Sequence, residues 1–293
     1  MTLFAKDPPI LAVDVANIAH RAYHANKHLS IGSGDDARPT GHVYGSVKIL
    51  LPLIKRYTKK GQQPELWWAL EGSPERRRRI YPEYKAGRER NFEPYPEVRK
   101  LVLRFPGQAI YHPKLEADDI LALMVREAEG LGRDIVLVTT DRDLWQFVGR
   151  QQVKVWCKDH VVNLAEVVAT FGVNSNRSVA LAKTFFGDTT DNIPPAVKGM
   201  RHKPILDLIN DNEIFNLDDF KEYIQDLPER IQDKLERHWD AVERNWKLVQ
   251  LAKKAGSRLR TRTGPDNPDR LVAYLETFKC KSLYEPVREL WPQ

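Results

Sequence analysis

The sequence has only two cysteines, Cys157 and Cys280, in 293 residues. Two cysteines build no disulfide framework, and this scarcity fits a reducing compartment. The chain also lacks internal repeats, low-complexity tracts and an obvious interdomain linker. A chain of this length can bury a sizeable core without disulfide bonds, as one large domain or as a domain with an appendage.

Long hydrophobic runs are missing as well. No apolar stretch approaches the length of a membrane span, and the apolar N-terminal segment 8–15 is too short for a signal peptide and carries Asp14. Hydrophobic residues make up 42% of the chain and charged residues 29%, which is typical of a soluble globular protein. We therefore expect a cytoplasmic protein without a membrane partner.

The charge balance is basic, with a net charge of +6 at pH 7 and a pI near 9.1. Acidic residues nevertheless concentrate in a few short stretches. A positive protein with an acidic pocket suggests a polyanionic substrate and metal ions inside that pocket.

The stretch from Leu115 to Leu144 organises the chain. Its first half predicts a helix with Glu116, Asp118 and Asp119 in the first turn, where the helix dipole favours anions. Its second half predicts a buried strand, which begins at Ile135 and leads into two more acids, Asp141 and Asp143. Ligands of α/β sheets bind outside the carboxyl ends of the strands, so we expect these five carboxylates to face one crevice. Unit charges about 4 Å apart repel by roughly 4 kcal/mol near a protein surface, so such a cluster needs cations.

Four further acids occupy comparable positions. Asp14 ends the predicted strand 9–14, Glu71 follows the predicted strand 65–70, and Asp188 and Asp191 share a turn after a predicted helix. Taken alone, an aspartate that leaves a strand or lies in a D-x-x-D turn is more typical of a cap or a polar turn than of a functional site.

The most unusual composition lies between Arg76 and Arg90, where six arginines and a lysine surround Tyr81 and Tyr84. Arginine forks bind phosphate and tyrosine rings stack on bases, although a basic run is also typical of a solvated face. The segment 76–105 predicts a basic arm over the acidic pocket.

Other segments predict helices. Asn17 is expected to cap a helix through His24, residues 41–60 form an amphipathic helix with an irregularity at Pro52, and residues 229–254 form one long helix. Residues 194–208 predict a basic turn into a helix, whose backbone amides can hold a phosphate.

Five motifs together resemble the phage and bacterial 5′-nuclease family, which includes flap endonucleases and the 5′→3′ exonuclease domain of DNA polymerase I. The matching segments are V-D-V-A-N at 13–17, R-I-Y-P-E-Y-K-A-G-R ending at 88, L-E-A-D-D-I at 115–120, T-T-D-R-D at 139–143 and G-D-T-T-D-N-I-P at 187–194. Each motif is weak alone, but all five occur in the family's order.

The resemblance implies an α/β fold with a mixed, mostly parallel central sheet between helices, a PIN-like nuclease core. It also implies a helical arch at about 74–105 and a helix-hairpin-helix subdomain. We expect a catalytic core at 1–186 and a DNA-binding helical region at 187–293. The motifs and length suit a phage replication protein, a stand-alone relative of the polymerase domain, acting in the host cytoplasm.

The resemblance also implies roles for individual residues. The acids of the first metal site are Asp14, Glu71, Glu116, Asp118 and Asp119. Those of the second are Asp141, Asp143, Asp188 and Asp191. The catalytic side chains of the arm are Tyr84, Lys85 and Arg77. The expected DNA contacts are Arg76, Arg78, Arg79, Tyr81, Arg88, Arg90, Lys198, Gly199, Arg201 and Lys203.

Two positions depart from the family pattern. Glu71 stands where the family has aspartate, which lengthens or loosens a metal contact. The hairpin reads Gly199-Met200-Arg201 where the family has G-x-G and often a potassium ion, so either potassium or Arg201 supplies the positive charge there.

The resulting hypothesis is a structure-specific 5′-nuclease that uses two Mg²⁺ or Mn²⁺ ions to hydrolyse DNA at 5′ flaps and 5′ ends. Carboxylate ligands without a converging His/Cys set favour these ions. We expect a monomer whose partner is DNA, with an RNA primer as a further substrate. Two alternatives are a PIN-type ribonuclease and a DNA-junction binder without catalysis.

Overall fold

The computed structural model describes residues 7–87 and 92–290. Its chain divides into two compact units. Unit 1 comprises Met1–Gly72, Arg90–Thr140 and Lys253–Gln293, and unit 2 comprises Ser73–Glu89 and Asp141–Ala252. Among the described helices, none is long and apolar enough to cross a membrane. The functional division predicted at residue 186 stays a prediction, because compactness does not show which segment binds DNA.

The strands are β1 Ile10–Asp14, β2 Ser30–Ile31, β3 Arg38–Pro39, β4 Glu65–Leu70, β5 Gln108–Tyr111, β6 Ile135–Val138, β7 Val153–Cys157, β8 His160–Val161 and β9 Arg260–Thr263. The helices are α1 Val15–Asn26, α2 Gly41–Tyr57, α3 Glu75–Arg78, α4 Tyr95–Val102, α5 Ala117–Gly130, α6 Leu164–Phe171, α7 Val179–Phe186, α8 His202–Asp211, α9 Leu217–Glu222, α10 Glu229–Arg237, α11 Trp239–Val249, α12 Pro268–Glu276 and α13 Tyr284–Arg288. Short 3₁₀ turns occur at Gly34–Asp36, Arg142–Phe147, Asn176–Ser178, Ile224–Asp226 and Lys281–Leu283.

The sheet of unit 1 has the order β6-β1-β4-β5-β9. Strand β1 pairs in parallel with β4 and β6, β4 pairs in parallel with β5, and β9 closes this edge antiparallel to β5. All residues of β1 and β6 are buried, as expected for strands covered on both faces. Each fully buried aliphatic side chain stabilises the fold by about 1.5–3 kcal/mol, so these strands form a firm scaffold. The predicted mixed, mostly parallel α/β fold is confirmed.

The start of α1 differs from the prediction. Asp14, not Asn17, is the N-cap, and its Oδ1 accepts a hydrogen bond of 2.9 Å from the Asn17 backbone. The Asn17 side chain instead joins α1 to the segment after β6, since its Nδ2 donates to Thr140 Oγ1 at 2.7 Å and its Oδ1 accepts from the Thr140 backbone at 3.2 Å. A strand that passes directly into a helix leaves no loop in which Asn17 could act as the cap.

Helix α2 continues through Pro52 and ends at Tyr57, three residues before the predicted end. The proline lies on the exposed face, where water can bond the carbonyl that its missing N–H leaves unpaired.

Unit 2 contains α3, α6 to α11 and the antiparallel β7-β8 hairpin. The prediction of one long helix at 229–254 was wrong. The segment forms two helices, α10 and α11, which are separated at His238, whose φ is −120°. Tertiary contacts hold the second helix in place, because the fully buried Asn245 donates to the carbonyls of Thr184 at 3.1 Å and Pro194 at 2.8 Å.

Glu97 joins α4 to the start of α2 within unit 1. It accepts a 2.6 Å hydrogen bond from Arg38 Nη2 and contacts Nε2 of the buried His42. Burial alone raises the pKa of Glu97, but the hydrogen bonds and charges of Arg38 and His42 outweigh it, so the pKa lies below its usual value. The ionised form therefore stabilises the fold above the pKa of the unfolded chain, and this contribution is lost as pH falls through the folded pKa.

Glu97→Gln should lower the free energy of unfolding by about 1 kcal/mol at pH 7, since the pair is partly exposed and screened. The deficit should shrink as the pH falls below about 4. Urea unfolding at several pH values measures it, with Glu127→Gln on the exposed face of α5 as the matched control. A deficit that stays constant down to low pH would contradict the assigned ion pair.

Candidate active site

Parallel strands place the first acids of unit 1 at the same edge of the sheet. Asp14 is the last residue of β1, and Glu71 directly follows β4, its parallel neighbour. Asp14 is only 6% exposed, and its Oδ2 accepts a 3.0 Å hydrogen bond from Thr139 Oγ1. The carboxyl ends of the strands therefore hold two acids by chain direction alone.

The start of α5 gathers three more acids. Glu116 is the N-cap, and Asp118 and Asp119 lie in the first turn. All three side chains are buried, and each offers an oxygen within 4.8 Å of the others. The backbone N–H of Asp119 donates to Asp118 Oδ1 at 2.6 Å, and the positive end of the helix dipole offsets part of the repulsion. The remaining negative charge suits a divalent cation with oxygen ligands.

Glu71 reaches this helix start through its longer side chain. Its Oε2 accepts a 3.0 Å hydrogen bond from the Ala117 backbone N–H, which is the first amide of α5. The next residue is Gly72, where a Cβ atom would collide with the carbonyls of His112 and Leu115. Only glycine permits this approach, so the sequence Glu71-Gly72 brings a fourth acid against the start of α5.

Tyr95 supports Glu71 and was not recognised from the sequence. Its hydroxyl accepts a 2.7 Å hydrogen bond from the Glu71 backbone N–H, and burial raises the pKa of Tyr95 well above its usual value. A tyrosine at the first position of α4 carries no pattern that would indicate this contact.

The second acid group lies in unit 2. Asp143, Asp188 and Asp191 each offer an oxygen within 4.8 Å of the others. Asp141 orients this group indirectly, because its Oδ1 accepts a 2.9 Å hydrogen bond from the Asp143 backbone at the start of a 3₁₀ turn. The turn carrying Asp188 and Asp191 begins at Gly187, whose φ of +75° favours glycine.

Lys183 on α7 is the counter-charge of this second group. Its Nζ lies 2.5 Å from Asp188 Oδ2 and also contacts Asp143 Oδ1. Burial raises the pKa of Asp188, but the charge and hydrogen bond of Lys183, with backbone N–H donors, outweigh it and lower the pKa below its usual value. The sequence does carry one signal for this residue, which is the single charged side chain of the mostly apolar helix 179–186.

The arm residues of unit 2 connect to the same acids. Tyr84 is fully buried, and its hydroxyl donates a 2.7 Å hydrogen bond to Asp191 Oδ2. The Lys85 backbone N–H donates to Asp191 O at 2.9 Å, and its Nζ lies 3.7 Å from Asp191 Oδ1. The backbone of Lys85 has a φ of +53°, a conformation that is uncommon for residues other than glycine. With its ring buried, Tyr84 contributes a hydrogen bond to Asp191 rather than an open face for a base.

The arginine run of α3 is largely anchored to unit 2. Arg77 is buried, with its Nε donating to Leu248 O at 2.9 Å, and Arg76 Nη2 donates to Gln250 O at 2.7 Å. Arg78 Nε donates to Tyr84 O at 3.2 Å, whereas Arg79 is exposed and pairs with Glu75. These hydrogen bonds fix the positions of the first three arginines of the run.

The remaining predicted DNA contacts that the structure describes lie in unit 2. The ring of Tyr81 lies beneath the Arg244 guanidinium at 4.9 Å. In the basic turn before α8, Lys198, Gly199 and Arg201 are exposed. Arg201 is the N-cap of α8, and Gly199 has a φ of +70°. Lys203 pairs with Asp207 at 2.7 Å. Arg88 and Arg90 lie outside the described residues, and the potassium alternative for the turn stays a prediction.

A family model described as the 5′-3′ exonuclease, N-terminal resolvase-like domain matches residues 9–172. The chain belongs to this family. It is 30% identical over 230 residues to a thermostable DNA polymerase I of Thermus thermophilus, covering 75% of this chain and 27% of that protein. A Deinococcus radiodurans DNA polymerase I is 31% identical over 214 residues, covering 71% and 21%. This exonuclease-family chain thus spans about a quarter of the length of these curated relatives.

Solved structures of low identity share the fold. The bacteriophage T5 D15 flap endonuclease in complex with DNA and metal ions matches with a TM-score of 0.63 and 20% identity, covering 97% of this chain and 99% of that one. The catalytic core of Rad2 in complex with a DNA substrate matches with a TM-score of 0.54 and 16% identity, covering 97% and 93%. The predicted resemblance to 5′-nucleases is confirmed, and relatives of this fold have been crystallised with metal ions.

Lys183→Met should lower the free energy of unfolding in EDTA by about 2–3 kcal/mol, because Asp143 and Asp188 lose their shared cation while the side-chain stem is kept. Excess Mg²⁺ should restore part of the loss by binding the folded carboxylates. Urea unfolding measures both effects, with Lys247→Met on the exposed face of α11 as control. If both variants unfold at the parental urea midpoint, Lys183 is not the counter-charge of the cluster.

Proposed function

We propose that this chain is a metal-dependent, structure-specific 5′-nuclease that hydrolyses phosphodiester bonds of DNA at 5′ flaps and 5′ ends. The observation that carries the proposal is the pair of carboxylate groups, Glu116/Asp118/Asp119 in unit 1 and Asp143/Asp188/Asp191 in unit 2. Membership in an exonuclease family supports the same chemistry. An RNA primer is a further substrate under this proposal, and the chain acts as a monomer in the cytoplasm.

The donor chemistry of these groups fits hard divalent cations. Every donor is a carboxylate oxygen, which suits Mg²⁺ or Mn²⁺ rather than zinc. Asp14, Glu71 and the acids of α5 would hold one ion, and Asp141, Asp143, Asp188 and Asp191 the other. When bound, such ions would supply an activated water and positive charge for the leaving oxygen of the phosphodiester.

The chain's own cations position and stabilise the phosphate. Lys85 is joined to Asp191 through its backbone N–H and its ammonium, so Lys85 is held beside the second acid group. An ammonium near the scissile phosphate stabilises the charge that develops during displacement. The buried Arg77, held at 2.9 Å by Leu248 O, fixes the helix that precedes Lys85.

Duplex DNA is assigned to the basic turn before α8. Lys198, Arg201 and Lys203 are exposed, and the helix-start amides can meet a phosphate backbone without reading bases. Arg79, Tyr81 and the arm residues 88 and 90 are assigned to the 5′ end of the substrate.

Two other functions share parts of this pattern. A PIN-type ribonuclease has a similar acidic site but would prefer RNA. A DNA-junction binder without catalysis would have no need for the second acid group, yet Asp143, Asp188 and Asp191 converge and Lys183 contacts only two of them. The nuclease is therefore the better supported function.

The function is tested with labelled 5′-flap DNA. The parent chain should cleave it with Mg²⁺ and not with EDTA, and should cleave single-stranded RNA much more slowly. Asp188→Asn should lower the cleavage rate by at least about 10²-fold, because an ion ligand is lost, with nearly unchanged DNA affinity in EDTA. Asp233→Asn on the exposed face of α10 is the control.

Preferential cleavage of RNA would establish the ribonuclease. Tight flap binding without cleavage under any divalent ion would establish the junction binder. Parental cleavage by Asp188→Asn would remove the second acid group from the mechanism.

Lys85→Met should reduce single-turnover cleavage by about 10²–10³-fold with little loss of affinity, because one electrostatic donor to the transition state is removed while the side-chain stem remains. Arg79→Met is the matched control, since an exposed cation is worth about 1 kcal/mol or less and should mainly affect binding. Rapid-quench kinetics with enzyme in excess measures the cleavage rate separately from the affinity for DNA. Equal, mild effects would reduce Lys85 to a binding residue.

A further inference from the structure

A groove in unit 1 brings together four cations from three elements. The cavity has a volume of about 610 Å³ and is bounded by the end of α4, by β9 and by α12. Lys100 and Arg104 come from α4 and the turn after it, Arg262 from β9 and Arg270 from α12. Their separation in sequence means that the fold, and not a basic run, creates this concentration of positive charge.

The positive charge of the groove is not balanced locally. Among the residues that the structure describes, its lining includes no carboxylate. Within residues 7–87 and 92–290, none of the four cations forms an ion pair with a carboxylate. Of the neighbouring acids, Glu97 pairs with Arg38, and Asp269 lies 4.0 Å from Arg288. Like charges that converge in a concave site favour an anionic ligand.

The groove lies away from the acids of unit 1. Thr263 of β9 pairs with Gln108, the first residue of β5, so the groove adjoins the amino end of that strand. Asp14 and Glu71 lie at the carboxyl ends of β1 and β4, which run in the same direction as β5. The four cations therefore lie toward the amino ends of the parallel strands, whereas Asp14 and Glu71 lie at the carboxyl ends.

The lining does not offer an open face for a nucleic-acid base. The aromatic ring in the groove, Tyr274, lies 4.2 Å beneath the Arg104 guanidinium, and its hydroxyl donates to Glu97 O at 2.9 Å. Sites for single-stranded nucleic acid combine a basic groove with exposed aromatic faces on which bases stack, and this groove has the charge without the open face. Leu103 and the side of Tyr274 instead provide apolar surface between the cations, which suits aliphatic side chains that alternate with carboxylates.

Strand β9 supplies a backbone edge beside these cations. It pairs with β5 on one side and ends the order of the sheet, and all four of its residues are exposed. Arginines on an edge strand also discourage aggregation. That purpose does not require Lys100 and Arg270 to converge on the same groove from two helices. Extended peptides recognise such edges through main-chain hydrogen bonds and alternate side chains.

We propose that this groove binds an extended acidic peptide segment of a partner protein. Carboxylates of the peptide pair with Lys100, Arg262 and Arg270, while its aliphatic side chains pack on Leu103 and Tyr274. The nuclease is thereby recruited through a surface remote from its acids, independently of the DNA chemistry proposed above.

The test uses the full-length chain and three fluorescent probes: a short peptide alternating glutamate with valine and threonine, the same peptide with glutamine for glutamate, and a short oligothymidine. Fluorescence anisotropy at low salt measures their affinities. The groove variant combines Arg262→Glu with Arg270→Glu. The control combines Lys48→Glu on α2 with Arg126→Glu on α5, two exposed cations with the same total charge change. Urea midpoints check folding, and Arg262→Gln with Arg270→Gln replaces the groove variant if it unfolds.

The acidic peptide should bind at least about tenfold more tightly than the glutamine peptide, a difference of about 1.4 kcal/mol. The groove variant should lose that affinity while the control keeps it, and oligothymidine binding and flap cleavage should stay at parental levels. Equal binding of both peptides, or equal loss in both variants, would overturn the proposal. A groove variant that loses oligothymidine affinity instead would assign the groove to nucleic acid.

Discussion

Repulsion among carboxylates is the constraint on which this structure depends. Three acids around the start of α5 are buried within 4.8 Å of one another, and three in unit 2 lie equally close. The two units offset the charge differently. Unit 1 uses a helix N-terminus and backbone N–H donors, including the Ala117 amide bonded to Glu71. In unit 2 a side chain of the protein itself, the Lys183 ammonium, lies between Asp143 and Asp188.

This difference has consequences for ion binding. A divalent ion entering unit 2 must displace or share the contacts of Lys183, whereas the acids of unit 1 are prearranged by the helix dipole and by Gly72. The hydrophobic strands hold the arrangement, because β1 and β6 are buried along their whole length. Burial of these strands thus provides the stability that offsets the cost of crowding acids at their ends.

Chain direction made much of the site predictable. Asp14 and Glu71 were expected at strand ends, and Glu116, Asp118 and Asp119 at a helix start, because strand and helix periodicity together fix where such residues lie. The mixed, mostly parallel sheet was implied by the resemblance to the 5′-nuclease family. The order of five short motifs then identified the family, which none of the motifs could do alone.

Tertiary contacts account for what the sequence did not reveal. Asn17 resembled a cap, but its side chain bonds Thr140, more than a hundred residues away. Helix α11, which follows the break at His238, is held by the buried Asn245 through two carbonyls distant in sequence. Tyr84 resembled an exposed stacking residue, yet its ring is buried with the hydroxyl on Asp191. Such contacts depend on the whole fold and leave no local periodicity.

Binding of Mn²⁺ followed by electron paramagnetic resonance tests the central claim most directly, because it counts bound ions without requiring a substrate. The parent chain should bind two Mn²⁺ ions, as a two-metal site requires. Asp119→Asn should weaken one of these sites and Asp188→Asn the other. A parent chain that binds no Mn²⁺ at millimolar concentrations, or two variants that both keep parental binding, would contradict the assignment of the carboxylate groups to metal ions.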